Sequence, residues 1–213
     1  MKLLYGTKNR AKLGHMRALL APLGLEIFGP EGLLSPNKTL PHVEESGRDP
    51  LENARLKAQT YYRQFHMPVF SCDSGLYFSG LPDGLQPGTH IRRIGGKNLS
   101  DEEMVVYYSS LAARHGGRLT AQYRNAICLI LGEEKVYESM DLSLAGTSFF
   151  LTDRPHPRRE EGFPLDRLSL EKESGRYYYD LPIQNAGDQA LEAGFSAFSR
   201  SIPGLVTCEA YRV

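Results

Sequence analysis

The sequence predicts an α/β fold built on a long mixed β-sheet, in two lobes with a cleft between them. Three observations carry this prediction. The chain opens with strand, helix and strand patterns joined by short links, a βαβ start most economically paired in parallel. Helical patterns recur at 50–65 and 100–115. Two longer apolar stretches, 119–131 and 135–150, have the character of hairpin strands.

Taken in order, residues 2–5 form a short buried strand around Leu3-Leu4-Tyr5. Leu13, Met16, Leu19, Leu20 and Leu23 follow the three/four spacing of an amphipathic helix over 10–23, which Pro22-Leu23-Gly24 ends. Leu25-Glu26-Ile27-Phe28 is a second strand. Residues 29–50, rich in Pro, Gly, Ser and Asn, are a loop holding Val43-Glu44-Glu45-Ser46-Gly47. Pro50 suits the first turn of the helix 50–65, and His66-Met67-Pro68 breaks it. Val69-Phe70-Ser71-Cys72 is a third strand ending at Asp73-Ser74-Gly75, with Leu76-Tyr77-Phe78 extended beyond it. Gly and Pro fill 79–96. Ser100 and Glu103 form a capping box for the helix 100–115. The hairpin strands join at Gly132-Glu133-Glu134, and 153–176 is polar. Tyr177-Tyr178-Tyr179 reads as a strand with one packed face, and a last helix lies near 186–198. With no repeat or low-complexity tract, the 213 residues read as one domain, 1–213, of two lobes.

Bulk properties narrow the function. Lys plus Arg and Asp plus Glu number 25 each, so no broad positive field for nucleic acid exists. A local basic pocket for a small anion stays open. Three cysteines, Cys72, Cys128 and Cys208, without a CxxC pair argue against zinc and a disulfide framework. The apolar run after Met1-Lys2 is short for a signal peptide, and no run approaches a membrane span. A cytoplasmic protein without nucleic-acid or membrane partners is expected.

Several stretches suit chemistry. In Thr7-Lys8-Asn9-Arg10-Ala11-Lys12 a polar turn opens a helix, whose unpaired N–H groups and dipole favour an anion. Thr7 and Asn9 also suit a plain helix cap with solvated lysines. Glu44-Glu45 is either a solvated acid pair or oxygen ligands for a hard cation. Asp73, at the carboxyl end of an apolar strand, suits Mg²⁺ ligation or proton abstraction from water, or else caps its own turn. After Pro87-Gly88, Arg92 and Arg93 suit a phosphate or a subunit interface. Gly-x-Ser-x-Gly, His-Glu-x-x-His and the full P-loop signature are all missing.

Order and spacing say more than any single motif. Thr7-x-Asn9-x-x-Lys12, Glu45-x-Gly47, Glu52-Asn53-Ala54-x-x-Lys57-Ala58, Asp73-Ser74-Gly75-Leu76, Pro87-Gly88 and Arg93 follow one another. This series resembles the inosine triphosphate pyrophosphatase family, which acts on non-standard purine nucleoside triphosphates. The resemblance implies a long, bent mixed sheet with helices on both sides, two lobes around a nucleotide cleft, and a homodimer. It implies Mg²⁺-dependent hydrolysis of an NTP to NMP and pyrophosphate. Thr7, Lys8, Asn9 and Lys12 would then hold the triphosphate. Glu45 and Asp73 would hold the metal, with Lys12 and Asp73 catalytic and Asp73 orienting or deprotonating the water. Ser74 and Arg93 would contact the nucleotide.

The second half departs from the family. Gly-Phe-Gly-Tyr-Asp-Pro, which lines the base pocket, has its counterpart in Gly162-Phe163-Pro164-Leu165-Asp166-Arg167. Phe163 and Asp166 survive, and Pro164 removes a backbone donor. Asn185-Ala186-Gly187 stands at Ser-His-Arg, Asp180 falls where a lysine is expected, and Cys72 replaces the companion acid before Asp73. Losing donors to the purine O6 relaxes discrimination. Altered base selectivity is therefore expected. The alternatives are a nucleotide-binding protein without turnover, and a pyrophosphatase acting on another phosphoanhydride.

Overall fold

The computed structural model describes residues 1–34, 39–182 and 189–206. The elements run β1 (Lys2–Tyr5), α1 (Arg10–Leu20), β2 (Glu26–Phe28), α2 (Pro50–Phe65), β3 (Val69–Phe78), β4 (Arg93–Ile94), β5 (Lys97–Asn98), α3 (Asp101–Arg114), β6 (Arg118–Gly132), β7 (Lys135–Ser139), β8 (Phe149–Thr152), β9 (Ser169–Leu170) and α4 (Gln189–Ser201). They divide into two units. The first draws on Met1–Ser74, Asn125–Ala145 and Ala190–Val213, the second on Gly75–Arg124 and Gly146–Gln189, so far as these are described. The long strands β3 and β6 contribute residues to each.

In the first unit β1 pairs in parallel with β2 and β3, while β6 pairs antiparallel with β7. The period of two along these strands sorts residues between two cores. Leu3, Tyr5, Phe70, Cys72, Ile127 and Leu129 meet Leu13, Met16 and Leu20 of α1 and Phe195 of α4. Leu4, Val69, Ala126, Cys128 and Ile130 meet Ala54, Ala58 and Tyr61 of α2. Ala54 and Ala58 are fully buried, and such small side chains bring a helix close to a sheet. The bounds of α2 have local causes. Asp49 accepts from the Glu52 N–H at 2.9 Å, Pro50 takes the first position, and His66 closes the helix in the left-handed region at φ 50°.

The second unit packs α3 on the ends of both long strands. Met104, Val105, Tyr108 and Leu111 bury against Leu76, Phe78, Leu119, Ala121, Phe149 and Leu151. The predicted capping box is formed, with Ser100 and Glu103 each accepting from the other's backbone N–H. β8 pairs antiparallel with β6 and with β9.

Three elements differ from the sequence reading. The single strand expected over 135–150 is two. β7 stops at Ser139, where Ser139 Oγ accepts from the Asp141 N–H and donates to the Asp141 carboxylate, and a 3-10 turn at 142–144 buries Leu144. β7 and β8 then pair with opposite ends of β6. The third strand does not end at Asp73 but runs on to Phe78. The triple tyrosine is not a strand: Tyr177 makes one bridge with Leu170, and Tyr178–Asp180 is a 3-10 turn. The last helix is found at Gln189–Ser201.

Close packing of α2 yields a prediction. Ala58→Leu should cost ~1–3 kcal/mol of stability by denaturant unfolding. Val106→Ala, on the exposed face of α3, should stay within ~0.5 kcal/mol.

Candidate active site

The turn from β1 to α1 is clamped from below. The Gly6 N–H donates to the Phe70 carbonyl at 2.8 Å. A Cβ at Gly6 would lie 2.3 Å from Ser71 Oγ and 2.9 Å from a Tyr61 ring carbon, so only glycine lets the turn settle here. Thr7 Oγ1 accepts from the Asn9 N–H at 3.1 Å, and Asn9 Oδ1 accepts from the Lys12 N–H at 3.0 Å. Asn9 is therefore the N-cap of α1. Capping satisfies one first-turn donor and leaves the helix N-terminus positive. Lys8 and Lys12 are exposed beside it.

Asp73 is the centre of the arrangement. Along β3, Val69, Ser71 and Asp73 share the face turned to α2. On α2, Asn53 and Lys57 lie one turn apart on one face. The two faces meet at Asp73. Lys57 Nζ donates to Asp73 Oδ1 at 2.6 Å, and Asn53 Nδ2 donates to Asp73 Oδ2 at 3.0 Å. Lys57 also donates to Glu45 Oε2 at 3.1 Å. Its side chain is 12% exposed and that of Asp73 10%. Burial pushes the Lys57 ammonium down, but Asp73 and Glu45 outweigh it and hold its pKa above the ordinary lysine value.

The loop carrying Glu45 is tied to the same helix. Asn53 Oδ1 accepts from the Gly47 N–H at 2.8 Å, so one amide side chain holds both the loop and Asp73. A Cβ at Gly47 would come within 2.6 Å of Asn53 Oδ1 and 2.8 Å of its backbone nitrogen. Arg55, on another side of α2, forms a two-pronged pair with Glu138 of β7 at 2.7 Å for each contact, which fixes the helix in rotation.

Ser74 donates to Asn125 Oδ1 at 2.7 Å, and Asn125 in turn donates to the Leu144 carbonyl. Cys72, in place of an acid, is buried and hydrogen-bonded with Tyr5, and burial pushes its thiol up to about 12.

Thr7, Lys8, Asn9, Lys12, Glu45, Asp73 and Ser74 belong to the first unit, where Lys57 joins Glu45 to Asp73. Arg93, Phe163 and Asp166 belong to the second. Arg93 is exposed on β4, while Arg92 is committed to Asp101 at 2.7 Å. Phe163 is 45% exposed, just before a 3-10 turn at Pro164–Leu168 that includes Asp166. Burial, and then the charge of Glu160, raise the Asp166 carboxyl to about 6. Asn185-Ala186-Gly187 lie outside the described residues. Lys57 and Asn53, quoted earlier as part of a motif, had no role assigned. Their four-residue spacing on a helix was visible, but their target required the pairing of α2 with one face of β3.

The donor set suits a hard divalent cation. Glu45 and Asp73 already converge on a cation, the Lys57 ammonium. A hard cation such as Mg²⁺ takes one or two carboxylates and completes its shell with water and phosphate oxygens, so Glu45 and Asp73 are the residues that could hold it.

Residues 3–184 match the sequence profile of the Ham1 family. A dITP/XTP pyrophosphatase of Rhodopseudomonas palustris is 30% identical over 202 residues, covering 92% of this chain and 89% of that protein. One from Symbiobacterium thermophilum is 34% identical over 183 residues, covering 82% and 87%. Among solved structures, a HAM1 protein from Coxiella burnetii shares the fold with a TM-score of 0.71 at 22% identity, over 92% of this chain and 98% of that one.

The raised Asp166 pKa gives a pH prediction. Between the ordinary value of 3.8 and about 6 the folded chain binds more protons than the unfolded one, so this group's stabilisation is present at low pH and lost as pH rises. Asp166→Asn should remove that decline, measured as unfolding midpoints across the same range.

Proposed function

The chain belongs to the Ham1 family, and on that premise we propose that it is a nucleoside triphosphate pyrophosphatase. It hydrolyses non-standard purine NTPs to NMP and pyrophosphate, with altered base selectivity. The observation that carries this reading is the Asp73 carboxylate, held at both oxygens by Asn53 and Lys57. The names of the relatives, dITP/XTP pyrophosphatases, support the substrate class.

The chain's own groups supply most of the chemistry. Thr7, Asn9 and the α1 N-terminus, with Lys8 and Lys12, bind the triphosphate and offset its charge. Asp73 orients a water against the α-phosphorus and takes its proton. The bond between the α-phosphorus and the bridging oxygen breaks, and pyrophosphate leaves. Each Asp73 oxygen spends one lone pair on its present partner and keeps another for this work. Glu45 and Asp73 would hold Mg²⁺, which when bound supplies positive charge to the phosphate oxygens. Ser74 and Arg93 contact the nucleotide, Phe163 offers a face for stacking, and Asp166 a polar group for the base. The family reading also makes the protein a cytoplasmic homodimer, open to test by sedimentation.

Pyrophosphate release from ITP, XTP and the standard NTPs, with Mg²⁺, tests the proposal. Turnover of at least one of them is expected, falling ~10²–10⁴-fold in Asp73→Asn. Nucleotide binding without release by the wild type would instead support a family member without turnover.

A further inference from the structure

Lys57 bridges the two carboxylates proposed above as metal ligands: its ammonium touches Asp73 Oδ1 and Glu45 Oε2. The second Asp73 oxygen is held by Asn53, and a cation bridging Asp73 and Glu45 competes with the Lys57 ammonium that bridges them. Two cations cannot share these oxygens at contact distance without strong repulsion. Lysine suits temporary occupation, as a compact point charge on a flexible four-carbon stem. An arginine would bind a carboxylate in a fixed two-pronged fork, as Arg55 does with Glu138.

We infer that Lys57 is a tethered counter-cation: it neutralises Asp73 and Glu45 in the metal-free protein, and yields its place to the incoming divalent ion. The inference rests on the proposed metal reading of these two carboxylates. It adds a residue that no sequence motif marked for this task. Without Lys57, both carboxylates would lose their shared cation, and among the described residues the Asn53 amide would remain on Asp73. With Lys57 fixed there permanently, the ion would be excluded. Once released, the ammonium adds its charge to that of Lys8 and Lys12 in attracting an anionic substrate. Metal loading thus also converts Lys57 from a carboxylate partner into a phosphate partner.

Mn²⁺ alone, titrated by electron paramagnetic resonance without nucleotide, is the probe. Lys57→Met should bind Mn²⁺ at least tenfold more tightly than the wild type, because the competitor is gone. Lys57→Arg should bind no more tightly than the wild type. A second measurement uses the wild-type chain, in case the methionine variant does not fold. Acylation of Lys57 by an amine-reactive reagent, read by peptide mass spectrometry, should rise at least fivefold on saturation with Mn²⁺. Unchanged or weaker Mn²⁺ binding by folded Lys57→Met, or unchanged acylation, overturns the inference. Asp73→Asn separates the two levels: if it abolishes Mn²⁺ binding while Lys57→Met gains nothing, the inference alone fails. If Asp73→Asn binds Mn²⁺ like the wild type, the metal reading fails and the inference with it.

Discussion

The structure of the site depends on one constraint: a carboxylate at Asp73 lies almost wholly out of water and must be compensated. An isolated ion in such a place is prohibitive, and removing one member of a buried pair typically costs ~3–5 kcal/mol. Lys57 supplies the opposite charge and Asn53 a neutral hydrogen bond. Both come from α2, so the position of that helix becomes a condition of the site. Ala54 and Ala58 let it approach the sheet, Asp49 and His66 set its ends, and Arg55 with Glu138 fixes its rotation. Packing, capping and charge pairing here serve the same two oxygen atoms.

The first unit carries the α1 N-terminus, two exposed lysines, and Glu45 and Asp73 joined through Lys57. Phe163 and Asp166 lie in the second unit, Phe163 just before and Asp166 within a 3-10 turn that Pro164 opens. The Asp166 carboxyl, raised to about 6, changes from donor to acceptor as pH rises through that value.

Much of the fold was legible because its signals were local. The bounds of α2 and the capping box of α3 follow from residues within a few positions of each helix end. The β1–α1 turn was likewise readable: Asn9 caps α1. Long-range pairing was harder. The break between β7 and β8 turns on a side chain of Ser139 that bonds Asp141, and on which end of β6 each strand can reach. Asp73 was recognised as out of place, but its partners Asn53 and Lys57 sit 20 and 16 residues away. Only the register of β3 against α2 reveals that they meet. The triple tyrosine misled because strand propensity and a tight turn share the same side chains, and tertiary context decided between them.

The central claim is that Asp73 and Lys57 stabilise one another as a shielded pair before any ligand arrives. A double-mutant cycle with Asp73→Asn, Lys57→Met and the double variant, read as unfolding free energy in chelator, tests it most directly. The expected result is strong non-additivity: each single change is costly, and the double variant recovers ~1–3 kcal/mol of the sum. Additive losses within ~0.5 kcal/mol would mean that the two groups do not act as a pair, and would contradict the account.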